Sequence, residues 1–92
     1  FFAMIEAMIQ GAEALGLDTE TATRLVCQTA LGAAQMTLTG DASPGTLRER
    51  VTSKGGTTAA ALERFEAGDF NATIQAGMQA AYDRAQVLAA QS

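Results

Sequence analysis

Apolar residues recur at helical spacing along almost all of this chain, and between Asp18 and Gly40 they cover most of a helix circumference. Ala22, Leu25, Val26, Thr29, Ala33 and Met36 make one face there, and Leu31, Ala34 and Leu38 broaden it. A helix apolar over so wide an arc is usually central in a bundle. Gly32, Ala33 and Ala34 let a neighbouring backbone come close. Asp18 is placed as the N-cap, Glu20 sits favourably in the first turn, and Gly40 ends the pattern.

The remaining segments punctuate themselves in the same way. Phe1, Ile5, Met8, Ala12 and Leu15 form a stripe widened by Phe2 and Ile9, and Gly16 stops it as a left-handed C-terminal residue. Ser43 followed by Pro44 opens a short helix carrying Leu47 and Val51. Ala61, Leu62 and Phe65 belong to a fourth helix that ends near Gly68. Asp69 is placed to cap a fifth, with Phe70, Ile74, Met78, Ala81, Ala85 and Leu88 in period. Five helices, no strand and short connections predict an all-α, bundle-like domain spanning residues 1–92.

Composition bounds what such a domain does. The 92 residues carry a net charge of -4, with 48% hydrophobic and 17% charged, which is a globular balance. Alanine dominates and bulky fillers are scarce, so the core is thin for a lone chain and a partner copy is expected. Six basic residues, with Glu49 between Arg48 and Arg50, make no nucleic-acid stripe. No apolar run has the length of a membrane span. Phe1–Ile9 contains Glu6, has no basic residue before it and reads as a helix entered partway, so a longer parent is expected. There is no histidine and one cysteine, Cys27, so a disulfide, a cysteine-based zinc site and histidine catalysis are excluded within one chain. Cys27 falls in the apolar pattern and is expected to be a small core residue.

The polar exception is Val51–Glu66, VTSKGGTTAAALERFE, where two glycines and several hydroxyls precede a helix. A helix start leaves backbone N–H groups without partners, and its dipole favours an anion. Glycines let a ligand approach that backbone. Ser53, Thr57 and Thr58 add hydroxyls, and Lys54 adds a charge. The set suits a carboxylate or a phosphate. Gly-Gly-Thr also serves as a plain helix cap, and physics alone leaves both readings open. The string is neither a Walker loop nor a dinucleotide fingerprint.

Val51, Thr52, Ser53, Lys54, Gly55, Gly56, Thr57, Thr58, Ala61, Leu62 and Phe65 resemble the signature of pyrroline-5-carboxylate reductases. FFAMIEAMIQGAEALGL, QTALGAAQM, GDASPGTLRERV and FEAGDFNATIQAGMQAAYDRA resemble the flanking family segments in order and spacing. The resemblance covers essentially the whole chain, but only the C-terminal helical domain of the family. It implies a domain interlocked with a second copy in a homodimer or higher oligomer. It also implies a missing N-terminal domain that binds NADPH or NADH, and a cytoplasmic enzyme of proline biosynthesis.

The implied reaction reduces 1-pyrroline-5-carboxylate to proline. By the resemblance, backbone N–H groups around Gly55, Gly56 and Thr57, with Ser53, hold the substrate carboxylate. Thr58 is implied as the catalytic hydrogen-bonding partner of the ring nitrogen. Lys54 is implied only as a supporting field, and Asp41 as an outer participant. No metal, nucleic acid or membrane partner is implied, and this chain alone is expected to be inactive. The competing expectation is a non-catalytic dimerisation module whose Gly-Gly loop is only a helix cap.

Overall fold

The punctuation read from the sequence sets five helices in a computed structural model that describes residues 1–92. They are α1 (Phe2–Ala14), α2 (Thr19–Thr39), α3 (Pro44–Arg50), α4 (Thr57–Ala67) and α5 (Phe70–Gln91), with no strand. The chain forms two compact units, Phe1–Leu47 and Arg48–Ser92.

In the first unit α1 packs against α2. The turn between them closes on Gly16 at φ 109, where the Leu17 N–H reaches the Ala12 carbonyl at 3.1 Å and the Gly16 N–H reaches Glu13 at 3.0 Å. This is a Schellman ending, which satisfies carbonyls that would otherwise be orphaned. Asp18 then starts α2 as an N-cap, accepting from the Thr21 N–H at 2.8 Å and from the Thr21 hydroxyl at 3.1 Å. The Thr19 hydroxyl donates to Glu13 across the turn at 2.5 Å. Ala22 and Val26 are the only buried hydrophobic residues of the chain.

The backbone N–H of Thr21, and then its hydroxyl, hold the Asp18 carboxyl below its ordinary pKa. The folded state therefore favours the charged form. The stabilisation is complete above the ordinary carboxylate pKa and is lost as pH falls through the lower folded value. Asp18→Asn keeps an accepting oxygen that does not titrate. Thermal melts between about pH 5 and pH 2 are expected to fall less steeply for Asp18→Asn than for the unaltered chain, while Asp18→Ala melts lower throughout.

In the second unit α4 packs against α5. The Phe65 and Phe70 rings stack across the corner with centroids 5.5 Å apart. The corner turns on Asp69, which has a left-handed backbone (φ 57, ψ 42) and makes no side-chain cap bond. This corrects the expectation of an aspartate cap. A capping side chain needs an extended backbone at that position, and the sharp corner uses the residue for its left-handed conformation instead.

A second correction concerns Cys27, which is exposed. It lies about 100° around the helix from Val26, off the α2 strip that the chain itself covers. Most of the predicted apolar stripe is likewise uncovered in the single chain. Leu25, Leu31, Met36 and Leu38 on α2 are exposed, as are Phe70, Ile74, Met78 and Leu88 on α5.

Candidate functional site

Residues Val51–Gly56 connect α3 to α4 within the second unit. Thr52 closes α3: its N–H donates to the Glu49 carbonyl at 3.1 Å, and its hydroxyl to the Arg48 carbonyl at 2.6 Å. Ser53, Lys54, Gly55 and Gly56 then make a tight turn, with the Gly56 N–H donating to the Ser53 carbonyl at 2.9 Å. Gly55 occupies its third position at φ 74, a conformation other residues adopt only with strain.

Gly56 is needed for a different reason. A Cβ there would stand 2.5 Å from the Ser53 hydroxyl oxygen and 3.1 Å from the Ser53 carbonyl oxygen. The absent side chain lets the serine hydroxyl lie directly against the backbone where α4 begins. Gly56→Ala is therefore expected to turn the Ser53 hydroxyl away and press on its carbonyl, lowering stability by about 0.5–1 kcal/mol, since alanine is also the poorer N-cap. Urea unfolding checks the stability. An unchanged midpoint would contradict the close approach.

Gly56 is the N-cap of α4, with extended backbone, and no side chain caps this helix. α5 shares this lack of a side-chain cap, whereas α2 and α3 have one. Asp18 caps α2, and the Ser43 hydroxyl accepts from the Thr46 N–H at 3.1 Å at the start of α3. Thr57 and Thr58 fall at the first and second positions inside α4. The first bond into this helix start is from the Ala60 N–H to the Gly56 carbonyl at 3.1 Å. That leaves the Thr57, Thr58 and Ala59 N–H groups open.

The hydroxyls divide in the same way. Thr23, Thr29, Thr37, Thr39 and Thr52 each donate to the carbonyl four residues back. Ser53, Thr57 and Thr58 have no such internal use. Thr58 is half-buried, whereas Ser53, Lys54 and Thr57 are exposed.

The structure thus places Ser53, Gly55, Gly56, Thr57 and Thr58 on one loop and helix start. Two details escaped the sequence reading. The Gly56 N–H is already used within the turn, and Ala59 contributes an open donor. Counting three positions in from a glycine N-cap is the signal that finds Ala59. Asp41 is exposed and belongs to the other unit.

Residues 1–88 match the sequence family described as pyrroline-5-carboxylate reductase dimerisation. A pyrroline-5-carboxylate reductase of Pseudomonas aeruginosa is 50% identical over 99% of this chain and 33% of its own length. One from Arabidopsis thaliana is 44% identical over 95% of this chain and 32% of its own length. Among solved structures, a pyrroline-5-carboxylate reductase from Coxiella burnetii aligns with a TM-score of 0.88 at 44% identity, over 92% of this chain and 32% of that one. A Plasmodium falciparum pyrroline carboxylate reductase with NADP bound aligns with a TM-score of 0.84 at 30% identity, over 86% of this chain and 30% of that one. The chain spans about a third of the length of the curated relatives it matches.

Proposed function

This chain belongs to the pyrroline-5-carboxylate reductase dimerisation family, and from that membership we propose that residues 1–92 are the C-terminal dimerisation and substrate-binding domain of a reductase that converts 1-pyrroline-5-carboxylate to proline with NAD(P)H. The five helices contain no strand and no glycine-rich strand-to-helix turn of the kind that holds dinucleotide phosphates. Its binding is assigned to a separate domain of the full-length protein.

The observation that carries the reading is the pair of unused hydroxyls, Ser53 and Thr58, beside the uncapped start of α4. α5 also starts without a side-chain cap, so what sets α4 apart is that unused hydroxyls stand beside its open N–H groups. Here the Thr57, Thr58 and Ala59 N–H groups and the Ser53 and Thr58 hydroxyls stay available together. A carboxylate satisfies the N–H donors and suits the positive end of the helix dipole. Ser53, held against Gly56, adds a donor to that carboxylate. Thr58 hydrogen-bonds the ring nitrogen and orients the C=N bond for reduction. The contribution of these residues is positioning and electrostatics.

The exposed area supports dimerisation. The single chain exposes 7708 Å². A folded monomer of 9.5 kDa exposes about 5,000 Å². The excess is larger than the roughly 800 Å² per partner of a standard stable interface. A second copy covering the apolar faces of α2 and α5 accounts for it.

Proline, the reaction product, is the probe for the loop. Titrating it into the isotope-labelled full-length protein is expected to shift the amide resonances of Thr57, Thr58 and Ala59 more than those elsewhere in the domain. Saturable proline binding that leaves these amides unmoved would contradict the assignment.

A further inference from the structure

The chain is acidic overall at -4, but its charge is unevenly placed. Arg48, Arg50 and Lys54 are half of its six basic residues, and between 48 and 54 only Glu49 opposes them. On either side of this stretch acidic residues outnumber basic ones. All three cations are exposed. The one salt bridge of the chain is Arg24–Glu20 on α2, so no carboxylate neutralises them by contact.

Arg48 and Arg50 lie in the last turn of α3, where cations offset the helix dipole. That role does not explain Lys54, which stands beyond the helix, second in the turn closed by Ser53 and Gly56. We propose that Arg48, Arg50 and Lys54 form a positive field that concentrates the anionic substrate at the loop, with Lys54 the main contributor. The inference rests on the reading of this loop as the carboxylate site. The field acts before and during binding and leaves the reduction step alone, so it lowers KM without changing kcat.

An exposed unit charge roughly 7–10 Å from an anion changes its binding by about 2- to 3-fold in water, and salt screens it. In the full-length enzyme at low ionic strength, Lys54→Gln is expected to raise KM for 1-pyrroline-5-carboxylate by about 2- to 3-fold. Combining it with Arg48→Gln and Arg50→Gln raises KM by about 5- to 10-fold, and each difference disappears near 0.5 M salt. Lys54→Arg keeps the original KM. The proposal is overturned if Lys54→Gln leaves KM unchanged at low salt, if its effect persists at high salt, or if the loss appears in the KM of the phosphate-bearing cofactor instead. Ser53→Ala in the same assay separates the two readings. A raised KM there beside silent charge variants defeats the field alone, and silence in both defeats the loop as the site and the field with it.

Discussion

Thr58→Val in the full-length protein is expected to lower kcat/KM by roughly 30- to 1000-fold, while Thr57→Val changes it little. One positioned hydrogen bond to a polar reacting group is worth on the order of 2–4 kcal/mol in the transition state. The two threonines are adjacent, share the first turn of α4, and neither caps it. The Thr58 hydroxyl has no internal hydrogen bond to lose, so its removal has little to destabilise beyond the packing of a half-buried methyl-sized group. Valine keeps the backbone N–H at both positions, so the carboxylate donors survive in both variants. Kinetics and melting temperature together separate function from folding. A large loss of kcat/KM with an unshifted melting temperature, in Thr58→Val alone, is the expected pattern. Equal losses in both variants, or a loss confined to Thr57→Val, would show that the ring-nitrogen role is misassigned. Full activity in both would reduce the loop to a helix start.

The double substitution Ile74→Glu with Met78→Glu is expected to weaken self-association at least 100-fold. Ile74 and Met78 are one turn apart on α5 and exposed in the single chain. Their helix packs within its unit against α4. Burying a carboxylate without a partner costs several kcal/mol, and at a two-fold interface each substitution counts twice. Sedimentation equilibrium reads the effect directly. The unaltered chain should sediment as a dimer at micromolar concentration, and the variant as a monomer or as unfolded chain. A stable, cooperatively folding monomer of the unaltered chain would contradict the account, because Ala22 and Val26 alone would then be its buried hydrophobic core.

Local chemistry was legible in this sequence wherever a residue's role depends on its immediate neighbours. Gly16 announced the end of α1, Asp18 the start of α2, and Ser43-Pro44 the start of α3. Each does in the structure what its side chain or backbone freedom suits it for. Asp69 was misread because aspartate serves two purposes at a helix start. Whether it caps or supplies a left-handed corner depends on the angle between α4 and α5, which no local pattern encodes. Cys27 was misread because periodicity marks every apolar face alike. It does not distinguish the strip of α2 covered by α1 from the strip that the single chain leaves exposed.

The Gly-Gly loop lies between these cases. Its glycines announced an unusual backbone, and the resemblance supplied the expected roles. Only the structure showed that Gly56 is needed for the approach of Ser53, and that its N–H is spent on the turn.

The most direct test of the central claim is steady-state oxidation of NAD(P)H by the full-length protein in the presence of 1-pyrroline-5-carboxylate. The account predicts oxidation that depends on this substrate and yields an equal amount of proline. A folded, dimeric full-length protein that oxidises no NAD(P)H with this substrate would contradict it.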